Sequence, residues 1–170
     1  MFGVLNTVIQ MIQQYDLNLE EILGGELEYL SEIDKLQKRE EFGEWLLKTA
    51  RKMNQAINQE RDMTTRQVIQ QAKQYIMDNY QNPDLSVEMI CRHLHMSPAY
   101  FSTMFKKETG QAYIAYLTEI RLNKAVELLN KTDDKTYVIA SKVGYQEQNY
   151  FSYVFKKKFG VSPTKFRGAR

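Results

Sequence analysis

The sequence predicts an all-α protein whose C-terminal hundred residues hold an internal duplication. Three observations carry that reading. Pro occurs 3 times and Gly 8 times in 170 residues, so little interrupts a helix. Apolar residues recur at helical spacing, with no strand-like alternation. Finally, the stretch from Tyr100 to Gly110 returns fifty residues later as Tyr150 to Gly160, with seven of eleven positions identical.

The segment before each copy repeats at a spacing of 49, aligning Val87, Ile90, Cys91 and Leu94 with Thr136, Ile139, Ala140 and Val143. The one-residue slip falls between Leu94 and Tyr100, and insertions settle in turns, so each unit reads as helix, turn, helix. In the first unit Ser86 is the expected N-cap of a helix to about Leu94. His95, Met96 and Ser97 form the turn. Ser97 caps a second helix with Pro98 at its first position, ending at Thr109 before Gly110.

On that second helix Phe101, Met104 and Phe105 share an inward face, while Ala99, Ser102, Thr103 and Lys106 point outward. In the second unit, a helix over about 147–159 turns Phe151, Val154 and Phe155 inward. Its outward residues are Gln148, Asn149, Ser152, Tyr153 and Lys156. Small and amide side chains followed by lysines suit base edges at one end and phosphates beyond. The alternative is a generic solvated face, and its occurrence in both copies favours the nucleic-acid reading.

Between the units, residues 112–129 carry Ile114, Leu117, Ile120, Leu122, Ala125, Leu128 and Leu129 at helical spacing, a long linker helix starting near Tyr113. Ser162-Pro163 opens a last short helix through Phe166 and Arg167. Upstream, Asn18 with Glu21 forms a capping arrangement for a helix ending near Gly24-Gly25. A longer helix follows over about 40–60, striped by Phe42, Trp45, Leu46, Thr49, Met53 and Ile57. That stripe is either core packing or a helix–helix dimer surface, since so small an acidic segment struggles to build its own core. Thr64 or Thr65 is the expected cap of the next helix, with Val68, Ile69, Ala72, Tyr75, Ile76 and Tyr80 inward. Domain limits of 1–65 and 66–170 follow.

Charge divides along the same line. Residues 1–65 hold 7 basic against 12 acidic side chains, and residues 66–170 hold 16 against 9. The basic half suits a polyanion, although solvated surface charge alone would give the same count. No apolar run nears the roughly 18 residues of a membrane span, and no secretory leader is visible, so no membrane contact and a cytoplasmic location are expected. The single Cys91 excludes an internal disulfide framework and fits a reducing compartment. Cys91, His93 and His95 lie close in sequence, but alternate residues on a helix point about 200° apart and cannot converge on one ion. With two histidines near one turn there is no acid–base constellation. Neither enzyme activity nor a cofactor or metal is expected.

The stretch LSVEMICRHLHMSPAYFSTMFKKETGQAYIAYL and the later IASKVGYQEQNYFSYVFKKKFGVSPTKFR resemble the AraC/XylS family of bacterial transcription regulators, over about residues 68–167. The resemblance implies a seven-helix domain with two helix-turn-helix units joined by one long helix. It also implies two recognition helices entering successive major-groove segments about 34 Å apart. The family's base-reading positions fall here on Ala99, Ser102, Thr103, Gln148, Asn149, Tyr150 and Tyr153. Lys106, Lys107, Lys156, Lys157 and Arg167 fall at phosphate-contacting positions. Many relatives carry Arg where this chain has Thr103 and Tyr153, so bidentate Arg–guanine contacts are missing and readout leans on Gln148 and Asn149 or on DNA shape. Arg121 matches a recurrent linker arginine, either an ion pair to a neighbouring helix or a DNA contact. The resemblance further implies an activator touching RNA polymerase. The chain would be the output part of a two-component or sensor-linked regulator, with its input domain on a missing segment or a separate partner.

Overall fold

A computed structural model describes residues 2–24 and 39–168. Among them lie α1 (Phe2–Gln14), α2 (Leu19–Leu23), α3 (Arg39–Asn79), α4 (Val87–His93), α5 (Pro98–Thr109), α6 (Tyr113–Lys131), α7 (Thr136–Lys142), α8 (Gln148–Phe159) and α9 (Pro163–Gly168). No strand occurs among the described residues, and none of their helices is long and apolar enough to cross a membrane. The chain divides into two compact units, Met1–Thr64 and Thr65–Arg170.

The expected break at Thr64 or Thr65 is absent: α3 runs unbroken over Arg39–Asn79. No Gly or Pro falls between Trp45 and Asn79. Two threonines cost a helix only about half a kcal/mol each relative to alanine. That is too little to open ends that would leave several backbone groups unpaired. Threonine is a good cap, but a cap acts only where the backbone has another reason to turn.

In the first unit Leu5, Val8, Ile12, Ile22, Leu23 and Trp45 form a buried cluster, with Phe42, Leu46 and Met53 half-buried against it. Thr49 is buried too, and the Phe42 ring stacks on Trp45 at 5.8 Å. The stripe on α3 is therefore core, and the segment builds a core of its own after all. Leu5, Val8 and Ile12 on α1 complete it. The Asn18 side chain caps α2 by accepting from the Glu20 and Glu21 amides. Lys52 Nζ donates to the Ile22 carbonyl at the other end, 3.2 Å away. Gly24 ends α2, and Gly25 lies outside the described residues.

The second unit has two cores that share one helix. Ile69, Ala72 and Ile76 of α3 meet Ile90 and Cys91 of α4, Phe101, Met104 and Phe105 of α5, and Leu117 and Ile120 from the first half of α6. The second half of α6 gives Leu122, Ala125 and Leu129 to the other core, with Ile139, Ala140, Val143, Tyr145, Phe151 and Phe155. Four phenylalanine rings, 151, 155, 159 and 166, stand in contact with centroids 4.6 to 5.8 Å apart. Tyr80 packs against both cores. At 19 residues α6 is about 28 Å long at 1.5 Å per residue, a stiff spacer between the two helix-turn-helix units.

One member of the expected linker stripe does not join a core. Ile114 is 63% exposed. At the first turn of α6 its neighbour Tyr113 takes the inward place, the phenol donating to the Leu85 carbonyl at 2.6 Å. Ile114 points about 100° away and lines a groove with Tyr150, Tyr153 and Val154 of α8.

Candidate nucleic-acid interface

The second helix of each unit, α5 and α8, is fixed at its ends by local chemistry. Ser97, in extended backbone, accepts from the Tyr100 amide at 3.4 Å, and Pro98 occupies the first turn of α5. Gly110 then ends the helix in the left-handed region at φ 76°. In the second unit Gly160 plays the same part at φ 80°, but Glu147, the N-cap of α8, makes no side-chain cap bond. Buried Phe101 and Phe105 in one unit, and Phe151 and Phe155 in the other, seat each helix on its core at zero exposure.

The seats leave matching outer faces. Ala99, Ser102, Thr103, Lys106 and Lys107 are exposed on α5; Gln148, Asn149, Tyr150, Tyr153, Lys156 and Lys157 are exposed on α8. Ser152, expected outward, is half-buried, and Val154, expected inward, is half-buried against the second core. Thr103 donates its hydroxyl to the Ala99 carbonyl at 3.1 Å, which leaves the methyl group as its outward contact. Each outer face thus joins residues that can meet base edges to a pair of lysines one turn further on. None of those four lysines is ion-paired among the described residues.

Two other cations of the second unit are engaged with protein. Lys158 bonds Glu119 of α6 at 3.0 Å, and Lys142 bonds Asp134 at 2.7 Å. Both carboxyls are held below their ordinary range, chiefly by these lysine hydrogen bonds. Arg167 is half-buried, with Nε and Nη2 buried and without a protein partner among the described residues. It is a more restricted phosphate-contact candidate than the four lysines.

Arg121 is neither of the things expected of it. It is 9% exposed, too deep for a DNA contact, and its partners are not carboxylates. Nε donates to the Tyr80 carbonyl at 2.8 Å and Nη2 to the Asn82 carbonyl at 2.7 Å. Its guanidinium lies 5.4 Å from the centre of the Tyr145 ring. The residue joins the end of α3, the middle of α6 and the turn of the second unit. That turn holds Gly144 at φ 89°, where a Cβ would lie 2.5 Å from Tyr80 O and 2.9 Å from Arg121 Nε and Nη2. Nothing local in the sequence signals this junction; the positions of Gly144-Tyr145 within the repeat are the one hint. Tyr100 and Tyr137 also stand on the surface, 58% and 54% exposed. For Tyr100, the repeat that pairs it with Tyr150 was the available signal.

Cys91 is buried in the first core, His93 stacks on Tyr75 at 4.4 Å, and His95 takes the left-handed region at φ 54°. The three side chains do not converge.

Comparison with known proteins gives one consistent result. The family model of a helix-turn-helix domain matches residues 90–169. The C-terminal domain of AraT, a response regulator from Geobacillus stearothermophilus, superposes with a TM-score of 0.59 at 44% identity, over 61% of this chain and 85% of that one. The C-terminal domain of the two-component response regulator yesN from Fusobacterium nucleatum gives 0.57 at 34% identity, over 61% and 98%. The arabinose operon regulatory protein of Escherichia coli is 30% identical over 113 residues, 66% of this chain but 39% of that protein. The chain therefore spans well under half the length of that relative.

Proposed function

Because the chain belongs to the AraC family of DNA-binding transcription regulators, we propose that α5 and α8 are its recognition helices and enter successive major-groove segments on one face of a duplex. The observation that carries this is the pair of matched outer faces, each with exposed short or amide side chains in its first turns and two unpaired lysines beyond. Ala99, Ser102 and Thr103 meet one element; Gln148, Asn149, Tyr150 and Tyr153 meet the other. Gln148 and Asn149 are the side chains able to bond adenine through two atoms, and the Ala99 and Thr103 methyl groups suit a thymine methyl. Lys106, Lys107, Lys156 and Lys157, with Arg167, hold phosphates and set register.

Selection from a randomised duplex library tests the reading. Two short elements about 10 bp apart are expected. Gln148→Ala and Asn149→Ala should each relax preference in one element by roughly 1–3 kcal/mol. Retention of no duplex at low salt would refute it.

Two coarser roles belong to the same proposal. The chain acts as the output part of a signalling regulator, activating transcription through contact with RNA polymerase. The acidic first unit serves protein contacts, a second copy of the chain among them. α1 carries no charged side chain from Phe2 to Gln14, while Val4 and Met11 stand exposed on it. Light scattering of the whole chain and of residues 65–170 should show a larger species only for the former; equal oligomeric states would end the dimer reading.

A further inference from the structure

Two copies of one motif on a single duplex meet different base pairs but the same sugar–phosphate chain. Positions kept identical between the copies are therefore accounted for either by the fold or by that shared chain. Of the seven identities between residues 100–110 and 150–160, the fold explains three. Phe101/Phe151 and Phe105/Phe155 are fully buried, and Gly110/Gly160 are left-handed helix ends. The two lysine pairs suit phosphates by charge. The serine pair is not held alike, Ser102 being exposed and Ser152 half-buried.

That leaves Tyr100 and Tyr150. They are 58% and 59% exposed, and neither phenol bonds to protein among the described residues. The Tyr150 ring meets that of buried Tyr145 at 6.0 Å, which accounts for a ring at one of the two places but for a hydroxyl at neither. By contrast, the exposed positions at which the copies differ in the first two turns are Pro98/Gln148, Ala99/Asn149 and Thr103/Tyr153; Glu108/Lys158 differs further along, where Lys158 is tied to Glu119.

We propose that Tyr100 and Tyr150 bind the phosphate backbone through their hydroxyls, one in each half-site, and that base identity is read at the positions where the copies differ. This rests on the DNA-binding reading above. It adds Tyr100 to the interface and moves Tyr150 from reading bases to positioning the helix.

The test uses the whole chain with Tyr100→Phe, Tyr150→Phe and Asn149→Ala, titrated onto the selected duplex, its single-base variants and an unrelated duplex. Each Tyr→Phe change keeps the ring and should leave the melting temperature unchanged. Each is expected to weaken binding about tenfold on every duplex alike, the loss of one hydrogen bond to a charged oxygen. The slope of affinity against salt should not move, because a neutral phenol displaces no counterion. Asn149→Ala should instead alter preference at one base pair. Unchanged affinity in both Tyr→Phe variants, or a changed base preference in Tyr150→Phe, overturns the proposal alone. Failure of the unaltered chain to bind any duplex overturns it together with the DNA-binding reading.

Discussion

The two helix-turn-helix units share an inward pattern yet differ most at the turn, where the repeat would lead one to expect likeness. In the first unit His95 holds the left-handed position with its side chain in solvent; in the second, 49 residues on, Gly144 holds it against Tyr80 and Arg121. Both backbones bend the same way. What differs is the surroundings: the second turn is pressed against the junction where Arg121 bonds the end of α3, and the first turn touches no such junction. The repeat thus records the motif, and the departures from it record where the second copy is fastened to the rest of the domain.

Breaking the fastening should have the largest effect. Gly144→Ala places a methyl group on a backbone oxygen in a conformation that L-residues resist, and should cost roughly 2–4 kcal/mol of stability in chemical denaturation. Arg121→Ala leaves two carbonyls without charge-assisted partners, with a loss of about 3–5 kcal/mol. An alanine at His95 should change stability by less than about 0.5 kcal/mol, since the side chain there is exposed. Similar losses at residues 95 and 144 would mean that the turns are equivalent and the junction unimportant.

The next comparison concerns charge. Residues 86–110 carry 3 basic and 2 acidic side chains, while residues 135–160 carry 5 and 1, which makes the second unit look the stronger polyanion binder. With Lys142 and Lys158 tied to Asp134 and Glu119, the two units offer the same pair of unpaired lysines. Replacing Lys106 and Lys107 by alanine, or Lys156 and Lys157, should therefore lower the salt slope of DNA binding by the same amount, about 1.8. A drop confined to the second pair would restore the unequal reading.

A pH experiment sharpens the first unit's side of the comparison. Burial, opposed in part by Arg121, pushes the Tyr113 phenol up to about 12. In the unfolded chain a tyrosine loses its proton near pH 10. The native state then binds the extra proton between these values, so the stability that the phenol contributes is complete below pH 10 and lost as pH rises toward 12. Tyr113→Phe should lose less stability over that interval than the parent chain when denaturation midpoints are compared. His95→Gly has an effect as small as that of His95→Ala, but of fixed sign. Relief of the left-handed strain and the added chain entropy of glycine nearly cancel, for a gain of about 0.5 kcal/mol.

Where local chemistry decides, the sequence was legible. Ser86, Ser97-Pro98, Gly110 and Gly160 end their helices where expected, because a cap or a left-handed glycine acts on its own backbone. The inward phenylalanines follow from helical period alone. What could not be read depends on contacts distant in sequence. The role of Arg121 requires carbonyls about forty residues upstream, and the glycine at 144 is explained by the same oxygen. Continuity of α3 through Thr64 and Thr65 is not legible from the two threonines, because the helix propensity of the residues around them outweighs a cap signal. The exposure of Ile114 was hidden by a spacing that fits a core stripe but falls one residue from Tyr113.

The central claim is that α6 holds two recognition helices at a fixed separation on one face of a duplex. The most direct test is to insert 5 bp between the two elements of the selected duplex and measure affinity by titration. Half a helical turn places the second element on the opposite face, so affinity should fall to that of a duplex carrying one element, with a salt slope smaller by about 1.8 if Lys106 and Lys107 lose their phosphates and by about 2.7 if Lys156, Lys157 and Arg167 do. Binding undiminished by the insertion would contradict the account, since the units would then engage DNA independently of the helix that joins them.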